Sequence, residues 1–445
     1  MTDEPTRPTV TRTGAQALIE TAATGGVEVC FANPGTTEMP LVTALDETPA
    51  VRPVLGLFEG VCTGAADGYA RIAGKPAMTL LHMGPGFANG IANLHNARRA
   101  HSPILNVVGD HASWHLAYDA PLTSDIESLA APVSGWVKAV DSAARTSQVT
   151  VEALLAARTP PTCGATLIVP ADFQQETVHG PLTAVPSPLN ASQVASATVD
   201  RIAGRLLQKG HTVMLLGANA LTERGQRAAQ RVARVTGATL YSETFPAAAE
   251  RGGGLPDLDR LPYFPETAIK ALAGADTVVL AGALEPIAYF GYKDIPSLLA
   301  PPDTVRVLAE PEEDAAQALE ELADALGASA SSGDRRPVQP DIRDLPDGPL
   351  DPAAIGRIVS VLLPENSIVS VEGGTCGYPF FTASANAARH TTLTNTGGAI
   401  GQGLPAALGA AIAALSTRWP SRARRARGPA GALRRPGEGT GGHPR

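Results

Sequence analysis

The feature that most constrains the fold is a repeated alternation of short apolar runs. Six of them punctuate residues 10–180: Val27–Phe31, Pro53–Phe58, Ala77–Leu81, Ile104–Val108, Trp136–Val140 and Thr166–Val169. Gly, Pro or Asp bounds each run, and alanine-rich stretches of helical character lie between most of them. Strands that are apolar throughout are buried on both faces, as in parallel sheets covered by crossover helices. After the Pro-rich stretch Gly180–Leu189 the series resumes with Thr212–Leu216, Thr239–Tyr241, Thr277–Leu280 and Val305–Leu308. A segment rich in Ser, Gly, Pro and charge then runs from Gly327 through Asp351 and reads as a second linker. Beyond it come helix-like Pro352–Leu363, strand-like Ser367–Val371 and Thr391–Leu393, and helix-like Leu404–Leu415. The expected fold is α/β: three consecutive doubly wound parallel-sheet domains over 10–180, 190–326 and 352–415, with the third incomplete. Residues 417–445 carry eight arginines, Glu438 as the one acid and Leu433 as the one Leu, Ile or Val. Such a segment buries too little apolar area to offset its ordering entropy, so a disordered tail is expected there.

Several function classes are excluded at this level. The net charge of −8 gives no reason to expect nucleic acid or an anionic membrane surface as a partner. No apolar stretch reaches transmembrane length, and the N-terminus lacks the apolar core of a signal peptide. Cys30, Cys62, Cys163 and Cys376 are scattered with no Cys-x-x-Cys pair, which points to reduced thiols in a cytoplasmic protein.

Three segments at expected strand ends carry possible chemistry. The first runs from Phe31 through a Pro-Gly turn to Thr36, Thr37 and Glu38. Alone it is an ordinary βα turn, although ligands of parallel α/β sheets do bind beyond the carboxyl ends of strands. The second is Leu57 to Arg71, where Glu59 precedes a helix rich in small residues. A partly desolvated carboxyl there shares a proton readily, which suits it to pairing with a ring nitrogen. In isolation it is a surface Glu at a helix N-terminus. The third is Leu81 to Gly90, where His82 precedes Gly-Pro-Gly; a lone His is more often packed or capping than catalytic. Asp110, His111 and His115 have the look of a metal cluster, but nothing in the sequence makes the segment helical and no His-Glu-x-x-His pattern is present.

Taken together, in this order and spacing, the three segments resemble the pyrimidine-binding domain of the thiamine-diphosphate-dependent 2-oxo acid enzymes. The wording from Phe58 to Arg71 is closest to acetolactate synthase large subunits. The resemblance implies that Glu59 is the glutamate that pairs with the cofactor's aminopyrimidine. It places His82 where benzoylformate decarboxylases carry a catalytic histidine, and Thr36 where they carry a substrate-contacting serine. Glu372-Gly-Gly-Thr375 and Thr396 to Pro405 resemble the opening of the family's diphosphate-binding domain. There Gly374 and Thr375 would touch the diphosphate, Gly398 would offer a carbonyl to the aminopyrimidine, and Ile400 would prop the bent cofactor. A Gly-rich loop at a helix N-terminus also suits phosphate on physical grounds.

The resemblance has limits. The family's Gly-Asp-Gly metal motif occurs nowhere in the sequence, so no residue is assigned to the magnesium that accompanies thiamine diphosphate in full-length members. The match runs to about Leu415, and the expectation is a truncated chain with impaired activity. Segment Pro286–Tyr292 lacks the second active-site histidine of benzoylformate decarboxylases. Leu215–Ala220 is a loop after a strand but no dinucleotide fingerprint, so FAD is not expected. The implied function is acetolactate synthase-like decarboxylation and carboligation of small 2-oxo acids by a self-associating dimer or tetramer. A benzoylformate decarboxylase-like activity is the alternative, and a non-catalytic paralogue or interaction protein is the alternative of another class.

Overall fold

The computed structural model describes residues 11–329 and 345–418. A short strand β1 (Thr11–Thr13) leads into α1 (Gly14–Thr24) through a reciprocal cap. Gln16 N donates to Thr13 Oγ1 at 3.2 Å, and Thr13 N donates to Gln16 Oε1 at 2.8 Å. Then strands and helices alternate: β2 (Val29–Asn33), α2 (Met39–Glu47), β3 (Arg52–Leu55), α3 (Glu59–Ala73), β4 (Ala77–Leu81), α4 (Met83–Arg99) and β5 (Ile104–Asp110). They continue with α5 (Ile126–Ala130), β6 (Trp136–Ala139), α6 (Thr146–Arg158), β7 (Gly164–Pro170) and α7 (Ala171–Gln175). β8 (Thr177–His179) returns antiparallel to β1.

The six strands β2 to β7 form one parallel sheet in the order β3-β2-β4-β5-β7-β6. Every residue of β4, β5 and β7 is buried, which is why those segments are mostly apolar; the buried Thr79, Asn106 and Thr166 hydrogen-bond one another across the three strands. Leu18, Leu41 and Leu154, from α1, α2 and α6, pack on one face. Tyr69, Phe87 and Ile126, from α3, α4 and α5, pack on the other. The chain reverses between β2 and β4, so the crevice beyond their carboxyl ends is the place for a ligand.

A second unit follows: α8 (Ser196–Leu206), β9 (Thr212–Leu216), α9 (Glu223–Thr236), β10 (Thr239–Ser242), β11 (Ala249–Arg251), β12 (Asp259–Arg260), α10 (Pro265–Leu272), β13 (Thr277–Ala281), β14 (Val305–Ala309) and α11 (Ala315–Ala325). Five of its strands make a parallel sheet, β12-β10-β9-β13-β14. Its helices stop where the sequence allows: α9 ends at Gly237 in the left-handed region, φ +73°. The last elements are α12 (Pro352–Leu362), β15 (Ser367–Val371), α13 (Gly374–Ala383), β16 (His390–Thr394) and α14 (Gly403–Arg418).

β15 and β16 pair in parallel, but the third strand of their sheet, β11, comes from the middle segment and runs antiparallel. The purely parallel third sheet expected from sequence is therefore mixed. Arg251 at the end of β11 secures it, stacking 3.7 Å over the Phe381 ring and donating to Phe381 O at 2.8 Å and Ser384 Oγ at 3.1 Å. The first and last units also join directly. Arg71, paired with the buried Asp67 at 2.6 Å, donates to Thr394 O at 2.7 Å. Of the expected linkers, 330–344 lies outside the described residues. So does the expected tail from 419 onward, while Thr417 and Arg418 belong to the end of α14. Among the described residues no helix is long and apolar enough to cross a membrane.

Candidate active site

The carboxyl ends of β2, β4 and β5 carry the first group of side chains. After β2 the chain makes one turn of 3-10 helix, Thr36–Glu38, that leaves Thr36 exposed and buries Glu38 completely. His82 directly follows β4 and occupies the N-cap of α4, with Met83 behind it at φ +52°. That left-handed residue turns the chain sharply from strand to helix. His82 Nδ1 lies 2.7 Å from Glu38 Oε2 and 3.3 Å from Thr37 Oγ1. Thr37 Oγ1 also donates to Glu38 Oε1 at 2.5 Å, and Gly35 N donates to Glu38 Oε2 at 2.7 Å.

Glu59 opens α3, half-buried, and its Oε2 accepts from Asn89 Nδ2 at 3.1 Å. Glu59 and His82 meet over Gly86: a Cβ built there would stand 3.3 Å from both Glu59 Oε1 and His82 Cβ. Thr36, Glu59 and His82 are thus gathered at one end of the first sheet. Beside them, burial raises the carboxyl pKa of Asp110, and the nearby Glu38 adds to the effect. Burial likewise pushes the Cys62 thiol up to about 11, with Glu59 adding its charge, so that thiol is no nucleophile near neutral pH. Among the described residues no group of three or more His, Cys, Asp or Glu side chains is arranged for a metal, and that includes Asp110, His111 and His115.

The second group lies at the ends of β15 and β16. Gly374 and Thr375 are exposed at the start of α13, whose N-cap, Gly373, has no side-chain hydrogen bond. A Cβ at Gly373 would find nothing within 4 Å, and the recess there is lined by Glu372, Gly373, Gly374, Thr394, Asn395 and Arg260. Uncapped helix N–H groups beside a guanidinium form an environment for an anion. Gly398 adopts φ +79°, which an L side chain would strain, with open space around it. Ile400 is 83% exposed. Glu372 ties the loops together, accepting from Gly401 N at 2.5 Å and Gly403 N at 2.7 Å.

α4 bridges the two groups. Asn93 Nδ2 donates to Gly60 O at 2.7 Å and reaches Gly401 O at 3.5 Å. Asn96 donates to Ala399 O at 2.9 Å and accepts from Ala399 N at 3.1 Å. Among the described residues, no hydrogen bond joins Glu59 itself to the 372–403 loops of the same chain. Sequence reasoning placed Glu38 and Glu372 in its motif segments without giving either a role, and it missed Asn93 and Asn96. The two asparagines did leave a signal, since polar residues at i and i+3 recur inside an otherwise packed helix.

Residues 12–129 match the family described as thiamine pyrophosphate enzyme, N-terminal TPP binding domain. A Mycobacterium tuberculosis protein, IlvX, named as a candidate acetolactate synthase large subunit, is 49% identical over 407 residues, covering 90% of this chain and 76% of its own. A benzoylformate decarboxylase of Pseudomonas aeruginosa is 28% identical over 428 residues, covering 87% and 76%. Among solved structures, a Mycobacterium smegmatis protein described as a candidate thiamin diphosphate-dependent enzyme aligns with TM-score 0.77 at 23% identity, over 92% of this chain and 81% of that one. A 4-hydroxybenzoylformate decarboxylase of Rhodococcus jostii aligns with TM-score 0.76 at 21% identity, over 90% and 79%. At such identities the structural matches speak for the fold.

Proposed function

The chain belongs to the thiamine-diphosphate-dependent enzyme family, and from that premise we propose that it acts on small 2-oxo acids, decarboxylating them and joining the product to a second carbonyl compound in the manner of an acetolactate synthase. The observation that carries the reading is that Glu59 and His82, beyond the carboxyl ends of β3 and β4, both border Gly86 at one end of the first sheet.

The described residues fit thiamine diphosphate. The open, uncapped start of α13 suits the diphosphate through Gly374 and Thr375, with the Arg260 guanidinium in the same recess. Gly398 would present its carbonyl to the aminopyrimidine, and Ile400 would support the rings. When bound, the cofactor supplies a nucleophilic carbon for the substrate carbonyl and a sink for the electrons released as carbon dioxide leaves. Glu59 would share a proton with the pyrimidine ring nitrogen. His82 would move a proton at the substrate's former carbonyl oxygen, and the Thr36 hydroxyl would hold its carboxylate. No described residue is given a metal-binding role. Because Glu59 has no bond to the 372–403 loops of its own chain, the reading includes a second copy that completes the site.

His82 also favours a second reading. A positioned acid–base group can protonate the product carbon in place of ligation, which is the outcome of a benzoylformate decarboxylase-like enzyme. The test has two stages. Protein should accelerate deuterium exchange at the thiazolium carbon of added thiamine diphosphate, and Glu59→Gln should remove that acceleration with the circular dichroism unchanged. Pyruvate and benzoylformate then separate the readings, by acetolactate or acetoin against benzaldehyde. Cofactor binding with neither exchange nor turnover would leave a non-catalytic paralogue and overturn both.

A further inference from the structure

One buried, fully bonded side chain at the site has no role in the proposed reaction. Glu38 is 0% exposed. Its Oε2 faces His82 Nδ1 at 2.7 Å and accepts from Gly35 N at 2.7 Å, and its Oε1 accepts from Thr37 Oγ1 at 2.5 Å. Two glycines make room for this. A Cβ on Gly109, at the end of β5, would come within 1.8 Å of Glu38 Oε1. A Cβ on Gly35 would come within 2.3 Å of His82 Nδ1. Carboxylate and imidazole are therefore in contact in a slot that only side-chain-free residues on both sides allow.

We propose that Glu38 is a positioning residue that holds His82 in its Nδ1–H tautomer and leaves Nε2 as the ring's proton-exchanging atom. The assignment follows from donor counting. An ionised Glu38 only accepts, so across the 2.7 Å contact Nδ1 is the donor, beside the Gly35 N–H and the Thr37 hydroxyl that also donate to this carboxylate. A charge-assisted hydrogen bond to a buried acceptor is among the stronger ones, and it fixes the ring's direction along with its tautomer. Among the described residues, Asp110 at the end of β5, His111 beside it and Glu59 across Gly86 are further titratable groups near the pair, and none of them hydrogen-bonds the imidazole.

The inference rests on His82 being the acid–base group, yet its test needs neither cofactor nor turnover. Protein labelled with 15N in histidine would be examined by two-bond 1H–15N correlation, with His82 assigned by the signal that His82→Gln removes. Neutral His82 should show the Nδ1–H pattern. In Glu38→Gln the ratio of Nδ1–H to Nε2–H forms should fall by about tenfold or more. Thr37→Val, which leaves the carboxylate in place, should keep the wild-type pattern. An Nε2–H pattern in the wild type, or a ratio unmoved by Glu38→Gln, would overturn the proposal. If Glu38→Gln fails to fold, Glu38→Asp, which draws the carboxylate back by one methylene, gives the same readout. A correct tautomer in a protein that does not activate thiamine diphosphate would leave this pairing standing while the functional reading fell.

Discussion

Gly86 has no side chain, and this leaves room for Glu59 on one side of it and His82 on another. Their roles can be separated by kinetics in a turning-over enzyme. Glu59 is proposed to act on the cofactor and His82 on the substrate, so His82→Ala should lower turnover by roughly a hundredfold or more while changing cofactor affinity little. Equal losses in both would make His82 a packing residue. A second residue-scale expectation concerns Glu243, just after β10. Burial raises its carboxyl pKa from 4.5 to about 7, partly offset by an N–H from Ala218. The folded state thus holds a proton that the unfolded state has lost between those values, so stability falls as pH rises from about 4.5 to about 7. Glu243→Gln keeps the shape and the acceptor without the charge. It should therefore stabilise the protein above pH 7 by up to ~3 kcal/mol, and by nothing below pH 4.5. Chemical denaturation at both ends of that range would reveal the difference, and a gain independent of pH would contradict the assignment.

At the scale of elements, the apolar runs located the strands because a strand covered on both faces carries few polar positions to blur it. Ala77–Leu81, Thr212–Leu216 and Ser367–Val371 match their strands end to end. β11 was invisible: it has three residues, no apolar run, and a partner about 140 positions away whose identity only tertiary packing decides. The site was legible in part for the same kind of reason. Glu59, His82 and Glu38 all stand in motif segments, but Glu38 acquires its role only through contacts with residues 44 and 71 positions away. Helix α3 makes the contrast quantitative. Its small residues are evident in the sequence, but the helix they admit is α14. A Cβ on Gly68 would meet Ala406 O at 2.0 Å, and one on Gly409 would meet Ala65 O at 1.8 Å. Those contacts are backbone and cannot turn aside. Ala is the better helix former by about 1 kcal/mol, but overpacking costs about 1–3 kcal/mol or more, so Gly68→Ala should destabilise. Gly204→Ala in α8, where nothing lies within 4 Å, should instead stabilise by roughly 0.5–1 kcal/mol. Opposite shifts in melting temperature are expected; shifts of the same sign would mean that the α3–α14 crossing relaxes freely.

For the whole molecule, two exposed apolar surfaces flank the two halves of the site. Leu55, Leu57 and Phe58 surround Glu59, with Leu57 90% exposed, and Ile400 and Leu404 stand beside Gly398, with Leu404 86% exposed. Large apolar side chains clustered in this way on a folded surface mark a contact. Both clusters border side chains that the proposed reaction must bring together, and no hydrogen bond within the chain joins Glu59 to the 372–403 loops. A second copy related by a two-fold axis would cover each cluster with the other and build two sites at once. Burying a leucine contributes about 1.5–3 kcal/mol, so each charged substitution should weaken association by roughly tenfold to a hundredfold, before the cost of burying the charge. Light scattering coupled to size exclusion should therefore give a dimer or larger for the wild type. Leu57→Glu combined with Leu404→Glu should give a monomer with an unchanged circular dichroism spectrum. If the site is shared, that monomer should also lose acceleration of thiazolium exchange, and Leu404→Glu alone, remote in sequence from Glu59 and His82, should lower it in step with the loss of dimer. A wild-type monomer that still accelerates exchange would place the whole site within one chain, and the two apolar clusters would then need another occupant.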